Sequence, residues 1–181
     1  MIAYDHLTRQ AKELGAAASA HADTSDIQFV TDFRKACEMN TCGYYRKNWM
    51  CPPAVGSAED LKAKILELPG GVVVQTVYQL EDSFDFQGME KAGDRHEKIF
   101  RNMLDYIQSN VNYKTLLPLN AGACKFCKEC TYSGGEPCRF PDKAVASLEA
   151  CCIDVNALLT KCDIPYNNGP NTVSFVSLFL L

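Results

Sequence analysis

Residues 71–80 read GVVVQTVYQL, and the reading of that run decides the fold. Branched side chains are stiff and pack well on a pleated surface, so consecutive valines followed by Thr76, Val77 and Tyr78 predict the strongest strand of the chain. Just upstream, Pro69, Gly70 and Gly71 stop a helix that Ser57 and Asp60 open in the manner of a capping box, with Leu61, Ile65 and Leu68 as its buried stripe. Just downstream, residues 81–93 are acidic and contain glycine, which predicts a surface loop whose Phe84 and Phe86 fold back onto the body. A helix from about Glu90 to Ser109 follows, with Phe100, Met103 and Ile107 on its apolar face, and then a strand within YKTLLPLNAG, residues 113–122. Strand, helix and strand in that order predict a right-handed crossover.

Further from the central strand, Ala3, Leu7, Ala11, Leu14 and Ala18 recur at helical spacing, predicting a helix over residues 3–20. DIQFVTDF, residues 26–33, reads as a short strand leading to Cys37. Val145, Leu148, Cys152, Val155, Leu159 and Cys162 also follow helical spacing, which predicts a helix from Asp142 to Cys162 and places Cys152 and Cys162 in its packed face. NTVSFVSLFLL, residues 171–181, is the final strand. The fold class expected is α+β: a mixed sheet of about four strands with flanking helices, the cysteine-rich loops at its ends, and residues 1–181 in a single domain.

Composition narrows the function. The chain has 181 residues, 47% of them hydrophobic and 10% aromatic, enough for a substantial core. A formal charge of -4 carries no basic excess, so nucleic acid is not an expected partner. The N-terminus has no apolar stretch behind a basic start, and the apolar run at 172–181 is far short of the roughly 20 residues that span a bilayer. A cytoplasmic protein without membrane attachment is expected.

In a reducing compartment, 10 cysteines point to metal ligands or reactive thiols rather than disulfides. Residues 124–130 read CKFCKEC, and Cys138 follows in CRFP. Zinc sites usually draw on two separated Cys-x-x-Cys pairs. Three cysteines at i, i+3 and i+6 instead wrap something larger than one ion, as the ferredoxin run Cys-x2-Cys-x2-Cys does. Cys124, Cys127, Cys130 and Cys138 are therefore expected to ligate a 4Fe-4S cluster, with zinc or plain structural thiols as the alternatives. Gly122, Gly134 and Gly135 allow backbone N–H groups to approach cluster sulfur.

A second constellation lies in CEMNTCGYYRKNWMCPP, residues 37–53, where Cys37, Cys42 and Cys51 occupy a segment with no helix or strand period. One reading packs these thiols as hydrophobes against Tyr44, Tyr45 and Trp49. The other is a second cluster with three cysteine corners, its fourth iron taking Cys138 or Cys151 or left open to water or substrate. Arg46 and Lys47 beside it form either a solvated turn or a site for an anionic substrate or an acidic redox partner.

Taken together, Cys-x4-Cys-Gly-Tyr from Cys37, Trp-x-Cys-Pro-Pro-x-x-Gly from Trp49, the Cys-x2-Cys-x2-Cys run, Pro-Cys-Arg-x-Pro from Pro137 and SLEACCIDV from Ser147 resemble a family of predicted metal-binding proteins. It is the family of domain of unknown function 2284, and the resemblance covers about residues 30–181. It implies that Cys37, Cys42, Cys51, Cys124, Cys127, Cys130 and Cys138 match the family's cysteines, and that the metal is held as iron–sulfur in an anaerobic or redox-active prokaryote. It implies no particular reaction. Cys152 stands where the family usually has Gly, which marks the turn there as altered.

His6, His21 and His96 are scattered on predicted helices without ligand spacing and are expected at the solvated surface. No dinucleotide, nucleotide-triphosphate or nucleophile-elbow motif occurs. The function expected is an iron–sulfur redox protein with two 4Fe-4S clusters that transfers single electrons to a redox partner protein. The alternatives are an enzyme that binds a small, sulfur-containing substrate at an open iron, and a zinc-stabilised interaction module.

Overall fold

The structure, a computed structural model, describes residues 4–181. In chain order the elements are α1 (Tyr4–Glu13), β1 (Ala18–Asp23), α2 (Asp32–Glu38), α3 (Ala58–Leu66), β2 (Gly70–Gln79), α4 (Phe86–Asn110), β3 (Leu117–Asn120), β4 (Ala146–Ser147), α5 (Val155–Lys161) and β5 (Thr172–Leu180). The strands form one mixed sheet in the order β1-β2-β5-β3-β4. β2 is antiparallel to both neighbours, with Val73 opposite Ala20 on one side and Leu178 on the other. β3 runs antiparallel to β5 and parallel to β4. The fold is α+β, as the sequence predicts, with one strand more.

The apolar run in β2 follows from cover on both faces. Val72 and Val74 pack with Phe179 against Leu7 and Ala11 of α1 and Phe100, Met103 and Ile107 of α4. Val73 faces the other way, into a cluster with Ile65 and Leu68 around α3 and Leu158 and Leu159 of α5. Each such side chain, fully buried, contributes about 1.5–3 kcal/mol, so the three-layer arrangement is held from both sides. Gly71 is required here, because a Cβ on it would lie 2.2 Å from the Phe179 carbonyl oxygen. At the start of α3 the Ser57 hydroxyl accepts the Asp60 N–H at 3.0 Å, the predicted cap.

Several expectations change. The residue 3–20 helix ends at Glu13, and Ala18–Asp23 instead forms edge strand β1 against β2; Ala3 lies outside the described residues. DIQFVTDF is no strand: it makes one bridge, Phe29 to Ile153, and turns into α2 at Asp32. α4 starts at Phe86, where Asp85 accepts the Gly88 N–H at 2.8 Å, and Phe84 and Phe86 stay 78% and 72% exposed rather than folding back. The stretch 142–162 is α-helical only in α5, because β4 pairs with β3 and a turn follows it. In that turn Cys152 has φ of 61°, the left-handed region that favours glycine.

This topology creates the site. Parallel neighbours need a long connection, usually a helix. Between β3 and β4, residues 121–145 contain only two short 3-10 turns, Thr131–Gly134 and Pro141–Lys143. Loops of that length without their own regular structure are functional or disordered. Here the loop carries four of the cysteines, and it lies against the irregular segment 39–56 that carries two more.

Candidate metal centre

All ten cysteines are free thiols. Cys124, Cys127, Cys130 and Cys138 line one cavity of about 1140 Å³, together with Lys47, Trp49, Lys128 and Arg139. Cys37, Cys42 and Cys51 line a second, of about 230 Å³, with Tyr45, Ser147 and Glu149. Even the smaller volume far exceeds the roughly 10–15 Å³ that admits one water. The cavities share a wall: Asn48 and Met50 border the larger and Cys51 the smaller, while Ala123 borders the smaller and Cys124 the larger.

Specific contacts hold that wall. Asn48, only 3% exposed, donates its Nδ2 to the Cys124 carbonyl at 2.9 Å while its Oδ1 accepts the Met50 N–H at 2.9 Å. The Trp49 indole N–H donates to the Glu136 carbonyl at 3.0 Å, and its ring meets Tyr132 edge-on at 4.9 Å. Within the long loop, Thr131 bonds the Pro137 carbonyl at 2.9 Å, Arg139 bonds the Glu129 carbonyl, and Phe126 meets Phe140 at 5.1 Å. Gly122 and Gly135 take φ of 70° and 72° at the two bends of the loop.

Two thiols at the smaller cavity, Cys51 and Cys37, are held toward the protonated form. Burial pushes Cys51 up to about 12, and the neighbouring Cys42, Cys37, Cys124 and Cys130 add to the rise. Cys37 is also raised, first by burial and then by Cys42, with Arg34 acting in the opposite sense. Among the described residues no three His, Cys, Asp or Glu side chains converge closely enough to hold a metal ion. Seven soft sulfur donors around two hollows match the donor chemistry of zinc or iron–sulfur groups, and any such group must draw the thiols together as it deprotonates them.

The remaining cysteines divide differently. Cys138 lines the larger cavity with its three sequence neighbours and does not line the smaller one. Cys151 and Cys152 are 1% exposed, and Cys151 packs in the core, where burial pushes its thiol to about 12. Cys162 is half-buried and points its sulfur at the His21 carbonyl, 3.7 Å away. Of the basic residues singled out beforehand, Lys47 borders the larger cavity, whereas Arg46 lies over the Tyr45 ring at 5.5 Å.

One histidine expectation fails. His96 is 2% exposed, with Nδ1 2.9 Å from Thr76 Oγ1 and Nε2 2.9 Å from Asn120 Oδ1 and 2.8 Å from Ser177 Oγ. Because the Asn120 oxygen can only accept, the tautomer protonated on Nε2 satisfies the set. Burial lowers its pKa to about 4, against the opposing effect of the hydrogen bond it donates to Asn120. Asn120 in turn donates to Glu97 at 2.6 Å, Glu97 pairs with Arg101 at 2.7 Å, and Arg101 lies over Phe126 of the cysteine loop at 5.1 Å. The sequence does hold a signal for this: Ala92, His96 and Phe100 share one helix stripe, and all three are buried. His6 and His21 are exposed, His21 on a strand rather than a helix. Nothing in cysteine spacing points to Asn48 or Arg101.

A family model described as a predicted metal-binding protein (DUF2284) matches residues 20–181. No curated protein and no solved structure matches the chain. Among the described residues no helix is long and apolar enough to cross a membrane.

Proposed function

The chain belongs to the DUF2284 family of predicted metal-binding proteins, and from that premise we propose an iron–sulfur redox protein that holds two 4Fe-4S clusters and passes single electrons. The observation that carries this reading is the partition of the thiols. Cys124, Cys127, Cys130 and Cys138 border one cavity, Cys37, Cys42 and Cys51 border the other, and chain neighbours such as Ala123 and Cys124, or Met50 and Cys51, fall on opposite sides. Once bound, a cubane supplies one-electron chemistry at a potential set by ligands, hydrogen bonds and solvent exposure.

The chain's own residues do the rest. Half-burial of six of the seven thiols, all but the exposed Cys42, restricts water around them. Asn48 and Trp49 fix the spacing of the two loops through the Cys124 and Glu136 carbonyls. Lys47, Lys125, Lys128 and Arg139 at the larger cavity offset thiolate charge, while Glu90, Asp94, Glu129 and Glu136 on the same lining leave it without a basic excess. Anaerobic reconstitution tests the reading: about eight iron and eight sulfide per chain, with absorbance near about 400 nm that bleaches on reduction. Zinc without sulfide would instead make the protein a zinc-stabilised interaction module.

A second reading is favoured by the position of Cys138. With that residue on the larger cavity, three thiols remain at the smaller one, beside Ser147 and Glu149. A three-cysteine cubane leaves one iron for a small sulfur or oxygen ligand, which is the geometry of an enzyme rather than a relay. Paramagnetic resonance separates the two, since only an open site changes its signal when a small thiol, sulfide or cyanide is added.

A further inference from the structure

Arg34 lies three residues before Cys37 on α2, one helical turn away and on the same face. Its Nε and Nη2 are buried with no hydrogen-bond partner; among the described residues the only other buried side-chain atom in that condition is Tyr78 Oη. Arg101, by contrast, has Glu97 and the Lys143 carbonyl, and Arg139 has the Glu129 carbonyl. A guanidinium keeps its charge at any ordinary pH, and leaving its donors buried and unpaired costs about 1–3 kcal/mol or more. Such a group calls for a specific explanation.

The surroundings say what is missing. Arg34 does not itself line the three-cysteine cavity, but it stands one turn from Cys37, which does, and its charge acts to lower the pKa of the thiols of Cys37 and Cys151. Glu149 borders that cavity and is near the same thiols, yet no ion pair joins it to Arg34. No other acceptor reaches the buried nitrogens. Anionic sulfur is an acceptor that this segment would supply on ligation, since binding a metal group deprotonates its thiols.

We propose that Arg34 is a positioning residue for the Cys37, Cys42, Cys51 centre: its free Nε–H and Nη2–H donate to the sulfur of the ligated group and balance its negative charge. This rests on the iron–sulfur reading above. Hydrogen bonds and charge at cluster sulfur tune its potential, and a nearby cation favours the reduced form, which carries one more negative charge. The residue thus opposes its own burial in the metal-free chain and is satisfied in the loaded one.

The test compares wild type with Arg34→Met and Arg34→Lys, reading iron and sulfide content, midpoint potential and thermal unfolding of loaded and metal-free chain. In the metal-free chain Arg34→Met should unfold at the same temperature or higher, since it removes a buried unpaired charge. In the loaded chain it should hold iron less firmly and shift the midpoint of one cluster negative by on the order of 59 mV, a tenfold change in the reduction equilibrium. Arg34→Lys should restore part of that shift. An Arg34→Met chain that keeps both its iron and its potential overturns the inference, as does one that loses stability equally with and without metal, the mark of a structural role. If wild type takes up no iron and sulfide, the functional reading falls first and this one with it.

Discussion

β2 and β5 pair along their lengths, and Val72, Val73, Leu178 and Phe179 are fully buried between helices. The loop 121–145 meets the same sheet at β3 and β4, but its cysteines are half-exposed and Phe126 and Phe140 are 40% and 46% exposed. One region gains its stability from apolar burial within the chain. The other is held by a few carbonyl-directed hydrogen bonds and two aromatic pairs around a hollow. The contrast separates what this sequence folds unaided from what it folds toward a guest, and substitutions on the two sides should behave differently.

The largest effect belongs to the sheet. Phe179 stacks on Phe100 at 5.1 Å and both are fully buried. Phe179→Ala should cost about 3–5 kcal/mol in denaturant unfolding. Because the loops depend on the sheet for their anchor points, metal uptake should fall with global stability. A variant that unfolds more readily yet reconstitutes fully would show that the cysteine region folds independently, against the contrast drawn above.

Next comes acid, through His96. Its folded pKa of about 4 lies below the 6.5 of an unperturbed histidine, so between those values the unfolded chain binds more protons than the folded one. Stability is therefore complete above pH 6.5, falls as the pH drops toward 4, and loses on the order of 3 kcal/mol from this group. The groups facing the ring are Thr76, Asn120 and Ser177, with Phe175 stacked on it and Glu97 reached through Asn120. Urea unfolding of the metal-free chain from pH 7 to 4, compared with His96→Gln, isolates the contribution. An unchanged slope in the variant would remove His96 as its source.

His96 also illustrates why parts of the molecule were legible and parts were not. β2, α3 with its Ser57 cap, the apolar face of α4 and β5 are written locally, in runs, caps and stripes whose period survives in the structure. The cysteine motif is equally local, and its four thiols do border one cavity. β1 is a different matter. Ala18–Asp23 has little strand propensity of its own and becomes a strand because β2 offers an unpaired edge, a fact held about fifty residues away. The residues 145–152 mislead in the same way: Val145, Leu148 and Cys152 are all buried at helical spacing, but through β4 and a turn rather than a helix. Asn48 was invisible because its partner, the Cys124 carbonyl, is backbone and distant in sequence.

That residue gives a smaller prediction, confined to the loops. Asn48→Ala leaves the half-buried Met50 N–H and Cys124 carbonyl without their partner, a cost of about 1 kcal/mol. The cost should appear as faster proteolysis within 39–56 and 121–145 and as slower metal uptake, with the sheet's hydrogen-exchange protection unchanged. Equal loss of protection in β2 and β5 would show that the two regions unfold as one unit.

The smallest effect is expected where a cysteine lies on the sheet's side of the divide. Cys162 ends α5 and packs against the apolar cluster that contains Val73 and Leu178. Its one polar contact is a long one, to the His21 carbonyl at 3.7 Å. Serine in its place keeps a donor near that carbonyl and adds a polar group to a half-buried position, so Cys162→Ser should cost about 1 kcal/mol or less. It should also leave the iron content whole. Cys127→Ser removes a thiol from the larger cavity, and it should lose about half the iron and expose residues 121–145 to protease while β2 stays folded, because ligand bonds supply folding free energy only to the segment they tie down. The pair is informative because the two changes are chemically identical. If Cys162→Ser loses iron as readily as Cys127→Ser, the cysteines are not divided between guest and core, and the boundary between the two regions lies elsewhere.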